Sequence, residues 1–514
     1  MPPPLRHSAL TPLPQWAHQM TPIFGPGIVY DATLDKRRQQ MRALGAALKP
    51  ANLKRYPEII AGETHRYLEA KWGDSGEVDI HHAFADLIIQ TGSATLMGPE
   101  IRNELFDEMF KLYQDLDKGL TPLSVFFPYA PTAAHARRDK ARLEIGKLFA
   151  RIIQKRRDDA ESVKNADVVQ RLMEFSYSDG TKLTEDQIAG MMVATLFAAQ
   201  HTSNVTATWT TLFLLDDARK GGNLLRRALD EIAKVEPSPG VFANGAGIDH
   251  KVVADEVFLQ SCVKEAIRMY PPIIFLMRRT LVDVPLPYMP GGDVVVPKGQ
   301  MVMVSNAVAQ RVPEVFENPN EYLPDRWSAF DIGKLPKYSF IGFGAGIHTC
   351  MGESFAFMQV RTILSVLLSK YELELTTPFP TPDYESIVVM PHGPNLVRFK
   401  RRAVPNGISA SLGLKPSTAP PVAAATAAAF VEDSADGVFT KTEVAKHHTR
   451  DDLWIIVNNN VYDITQYVHL HQGGEAALLR VAGGEATEQV QGPQHPGTVP
   501  TLLERFKIGR LVAA

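Results

Sequence analysis

Apolar and polar positions follow a helical pattern through most of the first half of the chain. Residues 33–235 are mostly helical in pattern, with a long amphipathic stretch at 185–215. At 281–305, short apolar pieces interrupted by Pro and Gly replace this pattern and predict strands and turns. A helical pattern returns at 353–370, and a strand-like segment follows it and ends at residue 402. The pattern therefore predicts a mainly helical protein with a small amount of sheet.

The composition changes sharply after residue 402. Residues 403–436 are rich in Ala, Pro, Ser and Thr, a composition that predicts a linker between flexible and semi-rigid. A chain of 514 residues is also too long for one ordinary core. We therefore predict four parts: a proline-rich N-terminus at 1–19, a main domain at 20–402, the linker at 403–436 and a small domain at 437–514.

Charge, cysteine content and hydropathy exclude several classes of protein. The formal net charge of −3 argues against a nucleic-acid binder. Two cysteines exclude a disulfide framework and suit a reducing compartment. The N-terminus lacks the apolar segment of a signal peptide. The longest apolar run, 188–199, ends at Gln200 and His201 and is shorter than the roughly 20 residues that span a bilayer, so we predict no transmembrane segment.

Residues 343–352 read Phe-Gly-Ala-Gly-Ile-His-Thr-Cys-Met-Gly and place Cys350 in a glycine-rich loop before a helical pattern. A thiolate at the start of a helix is stabilised by free backbone N–H groups and by the helix dipole. The glycines allow a flat macrocycle to approach the backbone closely. A buried structural cysteine is the alternative interpretation. The pattern resembles the haem-binding loop of cytochrome P-450 monooxygenases, in which a thiolate beneath the haem iron favours O–O cleavage.

Three charged residues add to this resemblance. Glu265 and Arg268 are three positions apart on a helical pattern, so their side chains share one face and can form an ion pair. Arg326 follows them in the sequence, before Cys350. Together they resemble the Glu-x-x-Arg plus Arg triad that fixes the region beneath the haem in this family. An isolated surface ion pair, which contributes little to stability, is the alternative.

The segment 198–203, Ala-Ala-Gln-His-Thr-Ser, lies within the longest helical pattern. It resembles the segment of sterol 14α-demethylases that crosses over bound O₂. Residues 20–31 and 271–278 resemble substrate-contact segments of the same family. The ordinary P-450 pattern has Asp or Glu before the threonine, and this chain has His201. A satisfied polar pair in an apolar helix is the alternative. The resemblance covers the predicted main domain, which is N-terminally short beside family members from eukaryotes.

The resemblance implies a role for each matching residue. Cys350 would be the axial ligand of the iron, and His201 and Thr202 would deliver protons during O₂ activation. Haem propionates are buried carboxylates and need charge-assisted partners. The residues implied at the propionates are Tyr30, Arg38, Arg278 and His348, and Phe343 and Gly346 belong to the haem loop. The residues implied to line an apolar sterol cavity are Phe24, Phe197, Ala198, Phe275, Leu276 and Met277, for which plain core packing is the alternative.

The small domain carries a second pattern. Val461-Tyr-Asp-Ile-Thr-Gln-Tyr is followed by His471-Gln-Gly-Gly and then by His495. The domain resembles cytochrome b5, and the interval between the two histidines equals that family's spacing between its axial ligands. Two imidazoles saturate the iron, so such a haem carries electrons and does not activate O₂. Gln472 and residues 490–494 depart from the family pattern, and a fold that has lost its haem is the alternative.

Together these patterns predict a mainly α cytochrome P-450 fold, N-terminally short, followed by a small α+β cytochrome b5-like domain. The implied function is removal of the 14α-methyl group of a sterol precursor by a haem-thiolate monooxygenase with a fused electron carrier. One alternative is a related P-450 that oxidises another lipid. The other is a non-catalytic haem protein or electron carrier.

The resemblance also implies cofactors and partners. The cofactors would be a thiolate-ligated haem b in the main domain and a bis-histidine haem b in the small domain. No nucleotide-binding fingerprint is present, so electrons from NADPH would arrive through a separate cytochrome P-450 reductase. A sterol and O₂ would be the substrates, with no nucleic-acid partner. The resemblance further implies peripheral association with the cytoplasmic face of the endoplasmic reticulum membrane.

Overall fold

The protein is described here by a computed structural model in which the chain forms two compact units, Met1–Thr418 and Ala419–Ala514. The described residues are 10–11, 14–29, 31–121, 123–124, 127–159, 167–286, 294–327, 335–336, 338–386, 388–403, 437–450, 452–465, 468, 478–491, 503 and 506–512. The predicted linker lies outside them except for Ala403. The domain boundaries drawn from composition therefore stay predictions.

Helices make up most of the first unit and surround one large apolar core. In chain order they are α1 (Pro14–Phe24), α2 (Leu34–Ala47), α3 (Pro50–Leu53), α4 (Tyr56–Lys71), α5 (Ile80–Gly92), α6 (Pro99–Glu104), α7 (Phe106–Asp117), α8 (Ala133–Asp158), α9 (Val168–Glu174), α10 (Glu185–Arg219), α11 (Leu224–Val235), α12 (His250–Asp255), α13 (Val257–Met269), α14 (Asn306–Ala309) and α15 (Glu353–Lys370). The Asp79 carboxylate caps α5 by accepting the His81 and His82 N–H groups. The prediction of a mainly helical domain is confirmed.

Helix α10 runs through the centre of this unit and packs against α5, α8 and α13. It starts with a capping box, because the side chains and N–H groups of Thr184 and Gln187 bond reciprocally. The prediction of an amphipathic stretch at 185–215 is wrong for most of this helix, because every residue at 188–193 and at 203–216 is buried. The helix crosses the core, so all of its faces meet protein there. A Cβ at Gly190 would lie 1.9 Å from the Phe24 carbonyl oxygen, so glycine is needed where the end of α1 meets α10.

The described residues of the first unit also form four small antiparallel sheets with the strand orders β1-β3-β6, β2-β10-β7, β4-β5 and β8-β9. The strands are β1 (Leu10–Thr11), β2 (Ser75–Asp79), β3 (Phe275–Thr280), β4 (Val284–Leu286), β5 (Val294–Val296), β6 (Met301–Ser305), β7 (Tyr371–Leu375), β8 (Pro382–Asp383), β9 (Met390–Pro391) and β10 (Leu396–Arg401). The strands expected between 281 and 305 are present as β4, β5 and β6. Strand β1 falls in the N-terminal part that showed no periodicity, and its Leu10 pairs with Thr280 of β3.

The second unit is built on a five-stranded sheet with the order β11-β15-β14-β13-β12. Its elements are β11 (Gly437–Phe439), α16 (Lys441–Val444), β12 (His448–Thr449), β13 (Asp452–Val457), β14 (Asn460–Asp463), α17 (Thr487–Gln491) and β15 (Lys507–Leu511). The side chains of strand β13 point alternately into two small cores on opposite faces of the sheet. Leu453, Ile455 and Val457 pack on one face, and Ile456 packs with Val444 and Val461 on the other. This is the small α+β arrangement that was predicted.

Within the part of the chain that the structure describes, no helix is both long enough and apolar enough to cross a bilayer.

Candidate active site

Cys350 is held by a loop that folds back on itself before α15. The Cys350 N–H donates to the Phe343 carbonyl (2.8 Å), and the Gly344 N–H donates to the Ile341 carbonyl (2.9 Å). Gly344 and Gly346 adopt φ angles of +73° and +68°, which residues with a Cβ rarely adopt. A Cβ added at Gly346 would meet no atom within 4 Å, so the loop borders open space there. The Cys350 side chain is exposed.

Opposing effects act on the Cys350 thiol. Crowding by the surrounding protein raises its pKa, although the side chain reaches solvent, and the Glu353 carboxylate raises it further. Hydrogen bonds from the Gly352 and Glu353 N–H groups lower the pKa, and the net direction is upward. The stabilisation expected at a helix start is therefore present but outweighed. A cation beside the sulfur would offset this cost, and an exposed thiol in a glycine loop that borders open space fits a haem iron.

The fully buried Glu265 carboxylate is the centre of a hydrogen-bond network. Its Oε1 accepts from Arg268 Nη2, Arg326 Nε and the Leu323 N–H, each at 2.9 Å. Its Oε2 accepts from Arg268 Nε and Trp327 Nε1, each at 2.8 Å. Glu265 and Arg268 are 0% exposed, so the network is not the surface ion pair that the sequence left open as an alternative. The two arginines and the tryptophan N–H satisfy a carboxylate that would be costly to bury alone.

The Glu265 network connects physically to the cysteine loop. Arg268 Nη1 donates to the Gln310 carbonyl (2.9 Å), and the Gln310 side chain donates to the Ile267 carbonyl (3.2 Å). Gln310 Oε1 then accepts the Ile341 N–H (3.0 Å) at the start of the loop that carries Cys350. This path links the buried triad to the candidate iron ligand, and Gln310 in its middle gave no signal in the sequence.

Aromatic packing strengthens the same region. The Trp327 and Phe340 rings meet edge to face at 5.0 Å, and the Lys264 ammonium lies over both, 4.4 Å from the Trp327 centroid. Burial lowers the pKa of Lys264, and the Glu353 carboxylate opposes this shift. Trp327 directly follows Arg326, so the sequence did contain a signal for this residue.

Ala198 and Thr202 share one face of α10, because they are four residues apart. Ala198 is exposed and Thr202 is half-buried, whereas Leu196 and Ser203 on either side of them are buried. This face of α10 therefore borders open space, although most of the helix is buried. The Thr202 hydroxyl donates to the Ala198 carbonyl (2.8 Å). That hydroxyl oxygen keeps lone pairs that can accept a hydrogen bond from a water molecule. This arrangement fits a proton-delivery role, which stays a prediction.

Phe197, Gln200 and His201 share a neighbouring face of α10 that meets α1 and α7. The Phe197 ring lies 6.0 Å from Phe24, 6.1 Å from Tyr113 and 5.2 Å from the His201 ring. His201 Nε2 lies 3.0 Å from Asp117 Oδ1. The structure thus brings three predicted residues, Phe24, Phe197 and His201, into one group. It adds Tyr113 and Asp117, which sequence reasoning missed because they lie on another helix.

The other predicted contacts lie in different elements. Phe275, Leu276 and Met277 are in β3, where Phe275 is exposed and the other two are half-buried. Arg278 Nη1 donates to the Met277 carbonyl (2.7 Å). The remaining residues implied at the propionates are Arg38, exposed on α2, His348, half-buried in the cysteine loop, and Tyr30, which lies outside the described residues.

An open cleft of about 620 Å³ lies beside β3. Its lining comprises Ile274, Phe275, Ser305, Ala307, Val308, Arg311 and Tyr384. Phe275 is the one predicted substrate contact among these residues, and neither Cys350 nor Thr202 lines the cleft. This lining does not make the cleft a candidate for the reaction site.

In the second unit, the predicted ligands His471 and His495 both lie outside the described residues. The described part shows Trp454 between two rings, stacked at 3.6 Å on His447 and edge-on to Phe439 at 5.1 Å. His447 Nδ1 lies 2.8 Å from Asp452 Oδ1. Val490, in the segment that departs from the family pattern, is half-buried and packs against the larger core.

Comparison with known proteins assigns a family to each unit. A model of the cytochrome P450 family matches residues 8–399, and a model of the cytochrome b5-like haem/steroid-binding domain matches residues 440–512. A sterol 14-demethylase of Arabidopsis thaliana is 40% identical over 74% of this chain and 76% of its own length. An obtusifoliol 14-alpha demethylase of Triticum aestivum is 39% identical over 74% and 82%. A lanosterol 14-alpha demethylase of Bos taurus is 35% identical over 74% and 73%.

Solved structures are similar in fold at much lower identity. The retinoic acid-bound cyanobacterial CYP120A1 superposes with a TM-score of 0.66 at 18% identity, over 77% of this chain and 86% of that one. The haem domain of cytochrome P450DA gives a TM-score of 0.65 at 18% identity. These two likenesses concern the fold alone.

Proposed function

The chain belongs to the cytochrome P450 family, its curated relatives are sterol 14-demethylases, and we propose that it removes the 14α-methyl group of a sterol precursor. The observation that carries the proposal is the presence of both the Cys350 loop and the 198–203 segment in a chain that is 40% identical to a sterol 14-demethylase. The enzyme is a haem-thiolate monooxygenase. In the proposed reaction, three successive oxidations convert the methyl group to alcohol, aldehyde and formate and leave a 14,15 double bond.

Haem bound through a thiolate supplies activation of O₂. Cys350 would hold the iron, and the glycine loop would let the macrocycle lie against the backbone. Arg38, Arg278, His348 and Tyr30 would bind its propionates through charge-assisted hydrogen bonds. The Glu265 network would fix the loop from behind through Gln310 and Ile341, which the hydrogen-bond path supports.

The substrate side would be formed by α1, α10 and β3. Ala198 leaves space beside the reacting methyl group, and Thr202 and His201 would move protons at the hydroxyl and at the imidazole. Phe24, Phe197, Phe275, Leu276 and Met277 would line the cavity. A rigid hydrocarbon substrate is bound best by an apolar wall with few polar groups.

We also propose that the enzyme associates with a membrane surface. Phe127 and Tyr129, in the segment between α7 and α8, are 62% and 58% exposed. Exposed aromatic side chains suit the interface of a bilayer. We place the enzyme at the cytoplasmic face of the endoplasmic reticulum membrane, where its apolar substrate is dissolved. Flotation of the full chain with phosphatidylcholine vesicles, compared with the Phe127→Ser/Tyr129→Ser variant, tests binding to lipid through these two side chains.

The direct test of the function is turnover of the full chain with a cytochrome P-450 reductase, NADPH and obtusifoliol. We expect the 14-desmethyl product with formate, and a reduced carbon monoxide spectrum of the thiolate type. A thiolate-type spectrum without turnover of 14α-methyl sterols would indicate another lipid substrate. A folded protein without that spectrum would indicate the non-catalytic alternative.

The cytochrome b5-like domain is proposed to supply an electron within the same chain. A tethered domain acts at an effective concentration on the order of millimolar, so turnover should not respond to added free cytochrome b5. The His471→Ala variant of the full chain should lose the second haem, lower the product formed per NADPH, and recover when free cytochrome b5 is added. Equal product per NADPH in the wild type and the variant would contradict the electron-carrier role.

A further inference from the structure

Helix α7 is attached to its two neighbours in different ways. It packs along α8 over much of its length. It lies further from α10, and long side chains bridge the gap. Two of these bridges are polar and lie one turn apart on α7: Tyr113 bonds to Gln200, and Asp117 pairs with His201. Their partners are adjacent residues of α10, directly before Thr202.

The Tyr113–Gln200 bond is the buried member of the two. The Tyr113 hydroxyl donates to Gln200 Oε1 at 2.8 Å, and the two residues are 1% and 7% exposed. Desolvation raises the pKa of Tyr113 well above its ordinary value, so the phenol stays a neutral donor. A buried hydrogen bond between neutral groups responds little to pH or salt, and leaving its acceptor unsatisfied is costly.

The His201–Asp117 pair has the opposite properties. Its side chains are 27% and 36% exposed, and its atoms are 3.0 Å apart. A polar contact with this exposure contributes little to stability. The buried bond therefore fixes the distance between α7 and α10, and the exposed pair forms at that distance. Because Phe197 packs on the Tyr113 ring, the same bond also positions a residue of the predicted lining of the sterol cavity.

We propose that Tyr113 and Gln200 are a positioning pair that keeps α7 against α10, so that the sterol cavity stays covered and His201 stays on Asp117. Neither residue needs to touch the reacting atoms. The inference deepens the proposed function and rests on it for the part that concerns the sterol. The position of α7 itself does not depend on the substrate.

The test uses the full chain with the Tyr113→Phe substitution, which removes one hydroxyl and keeps the ring. In the sterol-free protein, amide hydrogen exchange of residues 106–117 should become roughly five- to tenfold faster. With obtusifoliol, the sterol dissociation rate should rise by a similar factor, and the product formed per NADPH should fall.

Two controls separate positioning from general stability. Tyr371→Phe makes the same change at a fully buried tyrosine whose hydroxyl donates to the Gly73 carbonyl (3.1 Å), and it should leave the exchange of residues 106–117 and the sterol dissociation rate unchanged. Gln200→Leu should reproduce the effect of Tyr113→Phe, and the double variant should be no worse than either single one, because both remove the same bond.

Each outcome decides one question. Unchanged α7 exchange in Tyr113→Phe, or additive effects in the double variant, overturns the positioning role whether or not the sterol binds. Faster α7 exchange in Tyr113→Phe, when the wild type neither binds nor converts obtusifoliol or other 14α-methyl sterols, supports the positioning role and overturns the proposed function. Faster exchange together with faster sterol loss supports both.

Discussion

The cysteine side and the α10 side of the proposed haem site are stabilised in opposite ways. On the cysteine side, the fully buried Glu265 carboxylate accepts five hydrogen bonds from four residues. On the α10 side, single side chains bridge to α7, and one of the two polar bridges is partly exposed. A saturated network fails as a unit when one member is lost, whereas separate bridges can open and close one at a time.

This difference matches what the two sides have to do. An axial ligand must stay at one position through every turnover, and a dense network lets it move little. A cavity for a rigid sterol must open to admit the substrate and close again to exclude water. The separate side-chain contacts between α10 and α7, each of modest strength, allow that movement. Substitutions should therefore act sharply on the cysteine side and gradually on the α10 side.

The largest effect is expected at the iron ligand. Cys350→His in the full chain should remove the thiolate-type carbon monoxide spectrum and all sterol turnover, because imidazole cannot supply the thiolate's electron donation. The matched control is Cys262→Ala, which should keep both, since Cys262 is fully buried in α13 and burial raises the pKa of its thiol. A thiolate-type spectrum retained in Cys350→His would assign the ligand to Cys262 instead.

The next largest effect tests the saturated network. Glu265→Gln keeps the side-chain shape but leaves the buried Arg268 and the half-buried Arg326 without a countercharge. We expect the free energy of unfolding to fall by about 3–5 kcal/mol, with loss of bound haem. Glu374→Gln is the control, because its 2.8 Å pair with Arg398 is exposed and should cost about 1 kcal/mol or less. Chemical denaturation measures both. Equal losses in the two variants would refute the contrast between the two sides.

The same contrast explains how far the sequence could be interpreted. Glu265 and Arg268 were found because their i, i+3 spacing is a local pattern, and Arg326 because it completes a family motif. Gln310, which carries the path to Ile341, was not found, because glutamine in an irregular segment has no local signature. Tyr113 and Gln200 lie 87 positions apart, and only the packing of α7 and α10 brings them together.

The fold shows the same division between local and long-range information. The helices α10 and α15 and the strands β4 to β6 follow from periodicity and from Pro and Gly positions. Strand β2 was missed, because it is a five-residue edge strand with a mostly exposed pattern inside a helical region. Its pairing partner β10 lies more than 300 residues further along the chain. In the second unit, His471 and His495 stay predictions from spacing.

A second buried carboxylate lies close to Glu265 in sequence but lacks such a network. Glu256 precedes α13 and is 0% exposed. The Ser365 hydroxyl donates to its Oε1, and its Oε2 has no partner among the described residues. The pKa of Glu256 is raised to about 8, mainly by burial and also by Glu231, while Ser365 and Arg361 oppose the shift. Glu256 therefore stays protonated in the folded protein at neutral pH.

Because Glu256 stays protonated in the folded protein, the free energy of unfolding should fall as the pH rises. Below pH 4.5 Glu256 is protonated in both states, and above it the unfolded chain loses the proton while the folded protein keeps it up to about pH 8. The wild type should therefore lose about 1.4 kcal/mol of stability per pH unit in this window relative to Glu256→Gln. The exposed Glu374→Gln variant should parallel the wild type. Chemical denaturation at each pH gives the free energy of unfolding. If that free energy depends on pH in the same way for Glu256→Gln and the wild type from pH 5 to 8, Glu256 is ionised in the folded protein.

The smallest effect is expected at Thr202, on the side with separate contacts. Its hydroxyl bonds to the Ala198 carbonyl and faces open space, so Thr202→Ala should leave folding and sterol binding unchanged. A positioned proton donor contributes 10²-fold or more, but His201 and water remain, so we expect the product formed per NADPH to fall only about three- to tenfold. Thr210→Ala is the matched control, because its hydroxyl makes the same bond to Thr206 in the fully buried part of α10. The Thr210 variant should keep its product ratio. If Thr202→Ala also keeps the wild-type ratio of product to NADPH, the threonine hydroxyl takes no part in proton delivery, and the α10 side acts through His201 alone.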